Sequence, residues 1–595
     1  MLYPRLEEVS RYREMTSTFG GYNHQLSCQE GQFYDMKNMS SLYFPILSPR
    51  QNRGIVRDFI NPQGILDKED LMWIDDRKLF LNGEEITLDG VTLTSESPKT
   101  LAKMGAFVII MPDKIWYNVD KGECGYMEHT NTIAKGNEIT FSLCEANGKK
   151  IEYKTPADYE GEGNEPKDGD YMMSTKNGKA SLKVYAATSK TWLTVASTYI
   201  QITADGIGKG FEKGDGIKLT LDGAVDGLSD VFVNEEEDGK ISTNNVIVDK
   251  DDNTITITGI ISQLIKVRDK EFKVERKVPD MAFITECNNR LWGCSKDGHE
   301  IYCCKLGDVK NWNCFAGIST DSWAATIGSD GKFTGAITYL GYPIFFKEDS
   351  LIKISVSANG GHQTKETKCR GVQKGSERSL AILNETLYYK ASTGVCAYNG
   401  SLPVGISDEL GEVRYYDAVA GTIDNRYFIS MRDEENKHHL FVYDAKNGIW
   451  CKEDNTEVMH FCKHSDDLYF IDVKDTTMKS VRGTLLYDVP EKATEGKFDW
   501  FVESGNMGYS SPDNKYVARI NLRITLEFGT NVDFYLQYDS SGEWEHKFNM
   551  SGKGTRTFTV PIIPKRCDHF KYKLMGKGGC KIHSITKTLE EGSDI

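Results

Sequence analysis

Long apolar runs are missing from this 595-residue chain. The longest obvious one, residues 106–111, has six members, far short of the roughly 18 needed to cross a bilayer. No membrane-spanning segment is therefore expected. The opening stretch MLYPRLEEVSRYREM mixes acids with bases where a secretory leader would need a basic tip and an apolar stretch, so synthesis and assembly in a cytoplasm is the expectation. An excess of positive charge is missing too: 72 basic against 87 acidic side chains leave −15, which disfavours a scaffold that grips phosphates by releasing counterions.

Several chemical signatures are absent. No CxxC pair occurs among the fourteen cysteines, and Cys303 and Cys304 are adjacent, which on a strand sends them to opposite faces; reduced, mostly buried thiols are expected, with no metal site and no cofactor. There is no GxSxG elbow and no phosphate-binding glycine loop, so no catalytic residue is assigned and the chain is expected not to be an enzyme. Ser295-Lys-Asp297-Gly298 starts like the blade turns of some glycosidase propellers and then departs from them. His438-His439 reads as part of a solvated, charged turn.

Apolar residues almost nowhere recur at the three- and four-residue spacing of a helix, whereas alternating runs rich in Val, Ile, Phe, Tyr and Thr are broken repeatedly at Asn, Asp and Gly. Seven units share a plan of two apolar strands, a turn and a third strand with aromatics. They lie at residues 71–83, 105–122, 282–304, 334–355, 380–400, 424–450 and 459–473. Repeated small sheets that cannot bury both faces alone imply an irregular six- or seven-bladed β-propeller, two stacked sandwiches being the alternative. The expected organisation is an N-terminal segment with the first blades over 1–129, an inserted small β-barrel-like domain over 130–278, the remaining blades over 279–488, and a C-terminal β-sandwich over 489–595. The fold class is all-β.

Arg50, Arg53 and Arg57 place three cations within eight positions, suited either to phosphates or to a neighbouring subunit's carboxylates, or else to a solvated loop. The acidic loop Glu235, Glu236, Glu237 and Asp238 is a second candidate contact. In the C-terminal region Trp500, Tyr538 and Trp544 are candidate platforms for stacking sugars, against the reading of aromatics in a core.

Three stretches carry a family resemblance. Phe19-Gly-Gly-Tyr-Asn-His-Gln-Leu-Ser-Cys-Gln-Glu-Gly-Gln-Phe33 leads through Asn38 to Pro45 and then to Arg50, Arg53 and Gly54; Asn289-Arg290-Leu291-Trp292 is followed by Gly307-Asp308 and Asn311-Trp312; and Gly394-Val395 precedes Tyr398-Asn399-Gly400. Together they resemble the tailed-phage tail nozzle family, also described as tail tubular protein B and DNA-stabilising tail accessory factors. That resemblance implies a structural virion protein in the phage tail, a homo-oligomeric ring, often a hexamer, that meets portal, adaptor or other tail proteins. It would conduct or retain double-stranded DNA without sequence-specific binding, and a strongly acidic ring would repel the polyanion. The alternative is a carbohydrate- or receptor-binding β-propeller at the tail tip or capsid surface.

Overall fold

The computed structural model describes residues 11–591 apart from 162, 177–178, 229–230, 233–234, 238, 357–360, 485–493 and 510–512. Among the described residues the only helical backbone is three 3-10 turns, Pro156–Tyr159, Glu377–Ser379 and Asp408–Leu410. No helix is long and apolar enough to cross a membrane.

Seven four-stranded sheets form the blades of a propeller. They span residues 62–86, 100–126, 281–326, 335–368, 381–405 and 415–452, with the seventh made of residues 458–480 and the distant strand Gly54–Asp58. The first strands of the blades neighbour one another in turn, that of blade 4 meeting the turn Glu377–Ser379 before blade 5, and Val458–His464 returns to Pro62–Lys68 to close the ring.

Each second strand is buried on both faces, so it reads as a nearly unbroken apolar run instead of an alternating one. In Asp70–Asp75, Leu71 and Trp73 pack on Tyr469 and Ile471 of blade 7, while Met72 and Ile74 pack on Val108 and Ile110 of blade 2. The same two-sided packing recurs in blade 6, where Tyr427 and Ile429 meet Tyr388 of blade 5 and Phe428 meets Leu468 of blade 7. Burying a large apolar side chain of this kind stabilises by roughly 1.5–3 kcal/mol.

Ring closure depends on the N-terminal strand Gly54–Asp58, which pairs antiparallel with Thr477–Ser480. Gly54 is required there by proximity, since a Cβ would stand 2.5 Å from Ser480 Oγ. The chain entering this strand is fixed by Arg50, whose guanidinium grips both oxygens of Glu495 at 2.6 and 2.8 Å. Arg53, 3% exposed, reaches Glu453 Oε2 at 2.6 Å and Asp454 Oδ2 at 2.8 Å.

The insertion leaves the propeller on His129–Ile133 and returns on Phe272–Arg276, and these two strands pair with each other. They belong to a nine-stranded sheet that closes on its own core of Ile139, Phe141, Ile200, Leu219, Ile257 and Val274. A buried ion pair, Arg276 Nη1 to Asp215 Oδ2 at 2.5 Å, and the contact of Asn311 Nδ2 with Asp215 Oδ1 at 2.8 Å tie it to blade 3.

The C-terminal β-sandwich recruits the start of the chain: Arg11–Thr16 pairs with Cys580–Glu591, and Gln32–Lys37 pairs with Asp499–Ser504. Its longest element is a single strand, Lys515–Tyr538. That strand carries a β-bulge at Gly529, where φ is +72° and the register with Glu545–Val560 shifts. The sandwich core of Phe33, Val502, Phe534 and Leu574 is continuous with blade 6 through Tyr22, Phe441 and Trp450.

Candidate functional site

Because neighbouring strands in a blade run antiparallel, the loops that enter each first strand and the turns that follow each second strand emerge on the same face. Blades 5 and 6 leave a cavity of about 590 Å³ on that face. Its lining includes Gln373, Lys390, Asp408, Glu412, Arg414 and Tyr415. It adjoins a broader depression of about 1010 Å³ through the shared residues Asp408, Gly411, Glu412 and Val413, and that depression extends to Asp433, Glu434, Glu435 and the segment His24–Ser27.

Local sequence chemistry shapes these walls. Gly394 opens the third strand of blade 5 at φ +144°, and a Cβ there would collide with Ser407 Oγ. Ser407 Oγ is thereby free to accept the Val395 N–H at 2.8 Å, which pins the following loop. That loop contains the turn Asp408–Leu410, anchored by buried Leu410, and then Gly411 at φ +78°. His24 N–H donates to Glu409 O at 2.8 Å and Gln25 Nε2 donates to Asp408 O at 2.8 Å, so the N-terminal segment forms the far wall.

On the blade 6 side, Tyr415 is buried against His439 and Phe441. Asp433 Oδ1 accepts the N–H groups of Glu435 and Lys437, each at 2.9 Å, and its Oδ2 lies 2.7 Å from His439 Nε2. Burial opposes ionisation of Asp433, but the hydrogen bonds from His439 and the turn outweigh it and hold the carboxyl below its ordinary range. Burial keeps His439 below its usual value in spite of that partner. His438-His439 therefore begins the strand His438–Asp444 and is not a solvated turn.

Lys390 is the buried charge of the cavity, 3% exposed. Its Nζ donates to Gln373 Oε1 at 3.0 Å and to Ala391 O at 2.6 Å. Burial lowers its pKa to about 8.

The candidate contact and stacking residues expected from sequence are dispersed over the molecule and none lines this cavity, whereas Gly394 and Val395 of the third motif do. Arg50 and Arg53 direct their guanidinium groups at carboxylates of the same chain, as described above, and Arg57 lies over the rings of Trp73 and Phe80 at 5.2 and 4.7 Å, sealing blade 7 against blade 1. Glu235–Glu237 form a short strand paired with Lys240–Lys250, and Asp238 lies outside the described residues. Trp500 and Tyr538 are buried, 1% and 3% exposed, and Trp544 is half-buried with Lys573 Nζ 5.5 Å from its ring centre. Lys390 leaves one trace in the sequence: a lysine inside the apolar run TLYYKA, where a second strand has no solvent face. All fourteen cysteines are free thiols. Among the described residues there is no group of three or more His, Cys, Asp or Glu that could hold a metal ion.

No family model matches the chain, and no curated protein matches it. Solved structures that resemble it include an exo-β-1,3-galactanase from Phanerochaete chrysosporium, at 9% identity and a TM-score of 0.20, covering 50% of this chain and 92% of that one. AztD from Citrobacter koseri resembles it at 10% identity and a TM-score of 0.22, covering 67% and 93%. A GH43 glycoside hydrolase engineered to display both endo-xylanase and exo-arabinofuranosidase activity does so at 8% identity and 0.20, covering 53% and 97%.

These findings correct the expected membership in the tail nozzle family, since the neighbours named are glycoside hydrolases and AztD, with no phage tail protein among them. The structural virion ring and genome conduction fall with it. The expectation that the chain is not an enzyme is likewise withdrawn, its structural neighbours including glycoside hydrolases. The physical source of the misleading resemblance is backbone geometry. Gly21, Asn289, Gly307, Gly394 and Gly400 all occupy positive φ, so the matched motifs mark tight turns that a chain of short hairpins needs whatever its role. At such low identities and TM-scores, the neighbours themselves assign no activity to this chain.

Proposed function

We propose that the chain is a carbohydrate-binding β-propeller whose ligand occupies the groove between blades 5 and 6. The observation that carries this reading is the lining of the 590 Å³ cavity, which combines carboxylates, an amide, hydroxyls and two tyrosines with two cations. Sugars present many hydroxyls that both donate and accept, and Asp408, Glu412, Gln373, Ser392, Thr393 and Ser407 offer matching partners. Tyr415 and Tyr416 add the amphipathic surface that pyranose rings favour. The broader depression beside it extends the site enough for an oligosaccharide.

A glycan array with the full chain tests this. Binding is expected, weakened at least tenfold in Asp408→Asn or Glu412→Gln, both of which are exposed positions that the fold does not need. An array without signal, or binding indifferent to both substitutions, would refute the proposal.

A further inference from the structure

We infer that the sugar taken by this groove is acidic, with its carboxylate placed against Lys390; the inference rests on the carbohydrate reading above and names its ligand class. A buried charge is costly unless it is paired and hydrogen-bonded. Two other buried lysines obey that rule: Lys99 lies 2.7 Å from Asp113, and Lys587 meets both Glu14 and Glu30. Lys390 has two neutral acceptors, Gln373 Oε1 and Ala391 O, and no carboxylate partner among the described residues. An ammonium has three N–H groups, so one remains to be satisfied at the wall of a cavity.

Lys347 of blade 4 supplies an internal comparison. It follows the second strand of its blade, as Lys390 ends that of blade 5, and donates to Ser329 O at 2.6 Å and Asp330 O at 3.3 Å, two carbonyls of the adjoining loop. Its role is to hold that loop, and it lines neither cavity. Lys390 instead borders open volume.

The rest of the lining selects a carboxylate carried on a hydroxyl-rich body. Asp408, Glu412 and Arg414 are exposed, so water screens them, whereas the charge of Lys390 is not screened. The floor thus favours one anionic group. The rim acids, joined by Asp433, Glu434 and Glu435 in the adjoining depression, repel a polyanion but accept hydroxyl donors. One carboxylate among many hydroxyls describes a uronic-acid type of sugar.

Lys390 also gives the binding a pH signature. The groups facing it are Gln373 from the loop before blade 5, Cys396 from its own blade, Ser407, Asp408, Glu412 and Arg414 from the following loop, and Tyr415 and Met431 from blade 6. Burial pushes both the Cys396 thiol and the Tyr415 phenol above their ordinary values, which leaves Lys390, at about 8, as the group that changes charge between pH 7 and 9. A bound carboxylate raises its pKa, so binding above pH 8 takes up a proton.

The test is calorimetry on the full chain with a galactose oligomer that carries a single galacturonic acid residue and with the all-galactose oligomer of equal length. The expected result is a preference for the acidic oligomer of tenfold or more at pH 7, falling by about tenfold at pH 9, with proton uptake revealed at pH 8.5 by two buffers of different ionisation heat. Lys390→Met should abolish the preference and Lys347→Met should keep it. If the Lys390 variant does not fold, the proton uptake of the unmodified chain decides the matter. Equal affinity for both oligomers, a preference without proton uptake, or inorganic phosphate displacing the acidic oligomer at equal concentration would overturn the inference while leaving carbohydrate binding intact. Binding of neither oligomer, together with a silent array, would instead overturn the carbohydrate reading.

Discussion

Replacing Arg53 by Met should loosen the closure of the propeller ring without unfolding the other blades. Arg53 is buried, and its two terminal nitrogens are committed to Glu453, Asp454 and Thr456 Oγ1. Without it, Arg50, at 4.0 and 3.5 Å, is the remaining cation beside Glu453 and Asp454 among the described residues, and a buried and a half-buried carboxylate stand close together. Removing one partner of a buried ion pair costs roughly 3–5 kcal/mol. The cost falls on the nearest cooperative unit, the pairing of Gly54–Asp58 with Thr477–Ser480. At about 1.4 kcal/mol per decade, amide exchange limited by opening of that strand should accelerate roughly 100- to 4,000-fold. Protection in Asp70–Asp75 and Arg426–Asp433, second strands of other blades, should change far less. Adding Glu453→Gln and Asp454→Asn to Arg53→Met should recover part of the loss by removing the unpaired charges. Exchange at 54–58 within threefold of the unmodified chain would refute the assignment of this cluster as the ring's clasp.

Two further outcomes follow from the same coordinates. The arginines hold the Asp454 carboxyl at about 2, below its unfolded value near 3.8, against the opposing effect of burial; a depressed pKa contributes stability that is complete above about pH 4 and disappears as pH falls through 2. Acid unfolding monitored at 54–58 should therefore begin in that window, with roughly 2 kcal/mol lost across it, and the loss should be absent in Asp454→Asn. Gly394→Ala should damage ligand binding more than global stability, because the added methyl displaces Ser407 from the cavity wall at an already strained φ; unchanged affinity in that variant would remove Ser407 and its loop from the site.

Much of the architecture was legible because burial on both faces leaves a plain trace. LMWID, FVIIM, RLWGCS, PIFF, TLYYK, RYFISM and DLYFID are the second strands of the seven blades, and each lies in or beside one of the seven expected units. What could not be read was pairing across long separations. Nothing in Gly54–Asp58 announces a partner more than 400 residues away, and Arg11–Thr16 carries no mark of the C-terminal sheet that it joins. The bulge at Gly529 imitates a hairpin turn because both demand a glycine at positive φ. The same ambiguity produced the family resemblance, where turn residues common to small hairpins stood in for a shared role. The arginines at 50, 53 and 57 drew notice as a charged cluster, yet their partners come from residues 453, 454 and 495 and from the rings of Trp73 and Phe80. The candidate site was illegible for a related reason: Lys390, Asp408, Glu412 and Arg414 become neighbours only when blade 6 packs on blade 5.

The most direct test of the central claim is a crystal structure of the full chain grown with a bound oligosaccharide. Sugar density is expected in the groove between blades 5 and 6, in contact with Lys390, Asp408 and Arg414. Density confined to the C-terminal sandwich, with that groove holding only solvent, would contradict the assignment.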